Sequence, residues 1–181
     1  MPEPGDERIA LYDASGAQIG AESRRVVYAR SLWHGSAGVL LRSGDGERIF
    51  VHRRSDDKLV MAGMWDCVAG GVVDPGETPA ETARRELAEE LGVTGVALTP
   101  LFSTAWESGP GTGLGSGPAG LRAHLFAYEA FWDGPVTLQE SEVAEGRWMA
   151  LDELRALLAD RSRPFAPDSR VLAERRLAEL P

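Results

Sequence analysis

The chain has 181 residues and a formal net charge of −9. That length suits one domain with a substantial core, and the charge argues against a nucleic-acid duplex or an anionic membrane surface as partner. The single cysteine, Cys67, excludes an internal disulfide and any multi-cysteine metal site.

No apolar run is long enough to span a bilayer, and the N-terminus lacks a signal-peptide pattern, so a cytoplasmic protein is expected. Residues 1–7 read as a frayed polar end. From Arg8 to Gly20, two short apolar runs flank Asp13 to Gly16 and predict a β-hairpin over about 8–20. Residues 22–32 fit either a short helix or an extended connector. Ala37 to Leu41 and Arg48 to His52 flank Ser43-Gly44-Asp45-Gly46 and predict a second hairpin. Residues 53–64 read as a basic loop, and Trp65 to Ala69 as a short strand.

A Gly-rich turn, Gly70-Gly71 to Gly76, precedes a helix predicted over about Pro79 to Leu91. Thr78 and Glu81 have capping-box spacing, Pro79 suits the first helical position, and Gly92 supplies a left-handed stop. Ala80, Ala83, Leu87 and Leu91 form an apolar stripe at helical spacing. Glu86, Glu89 and Glu90 lie at i, i+3 and i+4 and form an adjoining acidic face whose mutual repulsion a cation would relieve. Carboxylate oxygens suit a hard divalent ion such as Mg²⁺.

Beyond the helix, Val96 to Thr104, Leu121 to Phe131 and Gly146 to Met149 read as strands. Glu107 to Gly120 carries six glycines and two prolines and predicts a mobile loop, either passive or able to close as a lid. Helices are predicted over about Leu151 to Asp160 and Asp168 to Leu180, giving C-terminal helices over about 151–180. No internal repeat is visible. Strands and helices in this order predict an α/β or α+β layered domain.

Gly71, Glu77, Arg85-Glu86-Leu87, Glu89-Glu90, Gly92 and Val93 resemble, position for position, the signature box of the Nudix hydrolases, over residues 71–93. The resemblance implies a single Nudix domain over 1–181, an α/β/α sandwich with a mixed sheet. It also implies metal-dependent hydrolysis of a nucleoside-diphosphate-linked or related small-molecule diphosphate, with Mg²⁺ or Mn²⁺ as cofactor. Glu77, Glu86, Glu89 and Glu90, with the Gly71 carbonyl, are the implied metal ligands. Arg85 is implied to orient a box glutamate. Glu89 or Glu90 could act as general base, with Glu107 and Glu142 the alternatives outside the box.

Arg53, Arg54 and Lys58 form the dense basic cluster upstream of the box and could hold a distal phosphate; a solvated loop is the plain alternative. Trp65 and Trp106 are either core residues or platforms for a base. A homodimer is left open by the family pattern.

The flanking segments, LYDASGAQIG and LWHGSAGVLL to RIFVHRRSDDKLVMAGMWD, resemble the isopentenyl-diphosphate-isomerase-like branch. Isomerases of that branch carry a catalytic cysteine immediately before the first box glycine, where this chain has Gly70. They also carry glutamates where this chain reads Ala119-Gly120-Leu121. Cys67 lies three residues too early, and in a continuous strand it would face away from position 70; a buried apolar role is expected for it. His34 matches a metal-binding histidine of the isomerases, but without the other ligands it reads as structural or substrate-touching. Hydrolysis is therefore the leading reading. A non-catalytic nucleotide- or metabolite-binding module is the alternative from another class, and the isomerase is the third.

Overall fold

A computed structural model of the chain describes residues 5–109 and 120–180. The N-terminal hairpin forms as expected, with β1 (Arg8–Tyr12) paired antiparallel to β2 (Gln18–Ser23). The ambiguous stretch that follows is a short helix, α1 (Arg24–Ala29), which buries Val27 and Tyr28. Strand β3 (Trp33–Arg42) is the backbone of the sheet. It pairs parallel with β8 (Arg122–Phe131) and antiparallel with β6 (Ala69–Val72).

The second hairpin is tighter in its turn than in its strands. Strand β4 (Arg48–Arg54) meets β3 in register only at Arg42 opposite Ile49. It then diverges and pairs along its length with β9 (Val143–Ala150). The stretch Trp65 to Ala69 is not one strand, contrary to the sequence expectation. Trp65 and Asp66 form β5 against β4, whereas Ala69 begins β6 against β3. Between them the Asp66 carboxylate accepts from the Val68 N–H at 2.9 Å, which turns the chain from one partner strand to the other. The strand expected from Val96 begins later, as β7 (Thr99–Glu107), and pairs with β8.

The sheet is mixed and covered on both faces. Leu87 and Leu91 of α2 (Pro79–Leu91) pack with Val39, Leu41 and Phe50. On the other face, Leu40 and Val51 pack with residues of α3 (Leu151–Ala159) and α4 (Pro167–Ala178). Neighbours such as Leu40 and Leu41 go to opposite layers because side chains alternate along a strand. This is the α/β/α arrangement expected from the sequence. Among the described residues, no helix is long and apolar enough to cross a membrane.

Helix α2 owes its ends to local chemistry. The Thr78 hydroxyl accepts from the Glu81 N–H at 3.3 Å, and the Glu81 carboxylate accepts from the Thr78 N–H at 2.8 Å. Gly92 stops the helix at φ 66°, where a side chain would strain the backbone. A cap of this kind stabilises by about 1 kcal/mol.

Cys67 is buried in the layer that faces α3 and α4. Because the chain turns at residues 67–68, strand alternation does not relate it to Gly70; packing alone accounts for its position. Burial pushes its thiol well above the usual range, so it is expected to be inert. Ellman's reagent should titrate one thiol after denaturation and almost none beforehand; rapid labelling of the folded protein would contradict this.

Candidate active site

The acidic face of α2 does not face solvent uniformly. Glu89 is about half exposed at its side chain, whereas Glu86 is 15% and Glu90 only 3% exposed. Both of the latter reach the backbone of β6. The Gly70 N–H donates to Glu90 Oε2 at 3.1 Å. Gly71 lies directly under Glu86, where any Cβ would overlap the Glu86 carboxylate. Glycine is thus required here for close approach, and the Gly71 carbonyl accepts from the Ser36 hydroxyl at 3.3 Å.

Burial raises the proton affinity of both acids, that of Glu90 to about 8. For each, desolvation outweighs the cations nearby. The cations are Arg85 and Lys58. Arg85 donates Nε to Glu77 Oε1 at 3.1 Å and Nη2 to Glu77 Oε2 at 3.2 Å, a two-point grip. Its Nη1 reaches Glu86 at 2.6 Å and Glu89 at 3.3 Å, and Asp74 lies 3.5 Å from Nη2. Glu77 also accepts from the Thr82 hydroxyl at 2.7 Å. The hydrogen bonds from Arg85 hold the Glu77 carboxyl below its ordinary range.

Lys58 bonds Glu142 and lies 3.8 Å from Glu90. Among the described residues, no three acidic, histidine or cysteine side chains yet converge on one point suitable for an ion. Arg85 and Lys58 occupy that electrostatic role. The donor chemistry nonetheless suits a hard cation: carboxylate oxygens of Glu86, Glu89 and Glu90, one backbone carbonyl, and a buried acid short of positive charge.

These groups open on a cavity of about 530 Å³ lined by Gly70, Gly71, Arg85, Glu86 and Glu89. Of the upstream basic residues, Arg54 and Lys58 line it. Arg53 does not: it pairs on the surface with Asp56 at 2.9 Å and Glu145 at 3.1 Å. Glu142 lines the cavity, but Glu107 does not, being engaged with Arg122 at 3.1 Å. Trp106 contributes to the wall. Trp65 instead ties β5 to the start of α4, donating its N–H to the Pro164 carbonyl at 2.8 Å. The expected lid falls largely on residues 110–119, outside the described residues.

Sequence reasoning missed Ser36, Asp74 and Asp168, all on the cavity wall. No local pattern singles out Ser36 or Asp168, since each arrives from a distant element. Asp74 could have been found from its place in the turn just before Glu77.

Gly71→Ala should leave the fold intact, because the flexible Glu86 carboxylate can move aside. The turnover number at saturating Mg²⁺ is expected to fall by ~10²-fold, the cost of an ångström-scale displacement. Wild-type turnover in the variant would remove Gly71 from the site.

The NUDIX domain family model matches residues 32–169. The chain is 53% identical over 178 residues to a Nudix hydrolase of Rhodococcus erythropolis, covering 93% of this chain and 91% of that one. It is 34% identical over 167 residues to a Nudix hydrolase of Pseudomonas aeruginosa, covering 90% and 89%. Among solved structures, a Deinococcus radiodurans protein superposes with TM-score 0.74 at 25% identity, over 93% of this chain and 98% of that one. The NUDIX domain of Shewanella oneidensis NrtR complexed with ADP ribose superposes with TM-score 0.61 at 20% identity, over 82% and 89%, a likeness of fold.

Proposed function

Because the chain belongs to the Nudix hydrolase family, we propose that it cleaves a phosphoanhydride bond in a nucleoside-diphosphate-linked or related diphosphate, with Mg²⁺ or Mn²⁺ as cofactor. The observation that carries this reading is the pair of buried carboxylates, Glu86 and Glu90, held against the backbone of Gly71 and Gly70, with Glu86 and both glycines lining a large cavity. A buried acid with insufficient positive charge around it is costly unless a cation or proton completes it.

Glu86, Glu89 and Glu90, with the Gly71 carbonyl, are the residues that would hold the ions. Glu77 supports them through Arg85. The bound ions would neutralise the diphosphate and lower the pKa of the attacking water. Arg85 sets the direction of Glu86 and Glu89, and its two-point grip on Glu77 fixes its own. Glu89, the most exposed of the three acids and bound to Arg85 through Oε2, would accept the proton of the nucleophilic water; Glu142, also on the cavity lining, is the alternative acceptor. Lys58 would hand Glu90 over to the cation and remain beside Glu142 and the phosphate.

The isomerase reading is weakened by Gly70 itself. A Cβ there would lie 2.5 Å from the Ala37 carbonyl oxygen and 2.7 Å from Gly38 Cα, so no thiol fits at that position without moving β3. Leu121 on the cavity wall is apolar and buried, where that chemistry would need an acid.

The test is product release from a panel of nucleoside diphosphate derivatives with Mg²⁺ or Mn²⁺, for wild type and Glu89→Gln. Wild type should turn over at least one compound only when metal is present, and the variant should lose ~10²-fold or more if Glu89 is the base. Tight binding without release from any compound would favour a non-catalytic module. Conversion of isopentenyl diphosphate to its allylic isomer would favour the isomerase.

A further inference from the structure

The cavity extends well past the glutamate face. Its far wall is built by elements that the box does not include: α1, the start of β3, the start of β8 and the start of α4. His34 stands there, 4% exposed, opposite Ala123 in the β3–β8 register. Its ring lies 5.4 Å from that of Tyr28, and its Nδ1 has no hydrogen-bond partner among the described residues. Burial holds the imidazole down to about 4, so it is neutral at physiological pH.

The charges on this wall are already committed. Arg24 pairs with Glu7 at 2.6 Å; Arg54, reaching in from the end of β4, pairs with Asp66 at 3.3 Å and also lies within electrostatic reach of Asp168. The Nε atoms of both arginines, like His34 Nδ1, are buried and have no hydrogen-bond partner among the described residues. Among the described residues the cavity lining carries seven acidic and four basic side chains. At the box end that excess suits metal ions. At the far end it leaves, among the described residues, no surplus cation for a second anionic group.

Asp168 sharpens the discrimination. It enters the cavity from the first turn of α4, where the pairing of Trp65 with the 164–166 backbone anchors the helix. Its Oδ1 accepts from the Ser169 N–H at 2.8 Å. A carboxylate in this position accepts hydrogen bonds from hydroxyls and repels phosphate or carboxylate. Met61, Trp106 and Leu121 add apolar surface beside these polar groups, the mixture that small-molecule pockets use to orient a ligand.

Building on the proposed hydrolase reading, we infer that this far wall is a specificity subsite for an uncharged, hydroxyl-bearing group joined to the diphosphate, with Asp168 as the residue that accepts its hydroxyls and excludes an anionic end. A terminal phosphate or a sugar acid is selected against. The residues that make this choice come from both ends of the chain, outside the box.

Two matched comparisons test this. UDP-glucose against UDP-glucuronate differ by one carboxylate, and ADP-ribose against ATP contrast a neutral with an anionic end. Each is measured as kcat/KM with Mg²⁺, and as binding by calorimetry to the Glu89→Gln variant. Wild type should prefer the neutral member of each pair by about tenfold or more. Asp168→Asn should shrink that preference by about tenfold, and Val60→Lys, which adds a cation to the cavity lining next to Met61, should shift it further toward UDP-glucuronate. Equal or reversed preference in wild type overturns the subsite even where hydrolysis proceeds. Unchanged preference in both variants overturns the role of the wall. Hydrolysis absent but the binding preference intact removes the hydrolase reading and keeps the subsite; no binding of either neutral compound removes the subsite.

Discussion

Glu90→Gln is expected to stabilise the metal-free protein at pH 8 while removing most of its activity. The folded chain holds the Glu90 proton up to about pH 8, because burial disfavours the carboxylate. The unfolded chain releases that proton near the ordinary carboxyl value of 4.5. Between those values the folded state binds more protons than the unfolded state. Stability must therefore fall as pH rises through the window. At ~1.4 kcal/mol per tenfold change in proton affinity, the loss amounts to a few kcal/mol above pH 8. Glutamine carries no proton to lose, so the variant's melting temperature should be flatter between pH 5 and 8, all else equal.

Divalent metal should act in the opposite sense on wild type. An ion that binds only the folded state stabilises it in proportion to the logarithm of its concentration over Kd, and most strongly where Glu90 would otherwise be an unpaired buried charge. Glu90→Gln should lose much of that metal-induced rise in Tm, together with ~10²-fold or more in turnover. Melting curves at several pH values, with and without Mn²⁺, check both halves at once. A variant with the wild-type pH slope and the wild-type metal response would remove Glu90 from the metal face.

Arg85→Ala should damage the site from the other side. Arg85 holds Glu77 at two points and bridges Glu86 and Glu89. Without it, carboxylates from one turn and one helix face each other with no cation between them. Charge-assisted hydrogen bonds of this kind are worth ~2 kcal/mol each, so the metal-free variant should melt several degrees lower. Turnover should fall by ~10²-fold, because the acids lose their fixed directions. Arg85→Lys should restore part of the stability and little of the turnover. A lysine is a single point charge and cannot reproduce the planar, two-point grip. Full rescue by lysine would show that charge alone matters at this position.

The parts of the site that were legible in the sequence are those whose causes are local. Thr78, Glu81 and Gly92 define both ends of α2 within a few residues of each other, and the i, i+3, i+4 spacing of Glu86, Glu89 and Glu90 follows from the helix alone. The layered order of strands and helices was readable because alternating and helical apolar patterns mark the elements, whereas the α/β/α sandwich was implied by the resemblance of the box. What could not be read is what depends on partners far along the chain. Trp65 to Ala69 looks like one strand, yet Asp66 turns it between β4 and β3. Arg53 and Arg54 are neighbours with opposite fates, one committed to surface acids and the other lining the cavity beside Asp66, as strand alternation permits. Lys58 and Glu142 are 84 positions apart and meet only because β4 and β9 pair. Asp168 reaches the cavity through the docking of α4 against β5, which no local signal predicts.

Attack by water on a phosphoanhydride at the box glutamates, with the help of a divalent ion, is the step on which the proposed function rests. Its most direct test is to run the reaction in heavy-oxygen water with Mg²⁺, using a compound that the panel identifies as a substrate, and to weigh both products. One heavy oxygen is expected in a phosphoryl group of one product, with no reaction when chelator is present and loss of the labelled product in the Glu86→Gln and Glu90→Gln variants. A product without heavy oxygen, or label appearing at the wild-type rate in both variants, would rule out metal-assisted attack at these glutamates.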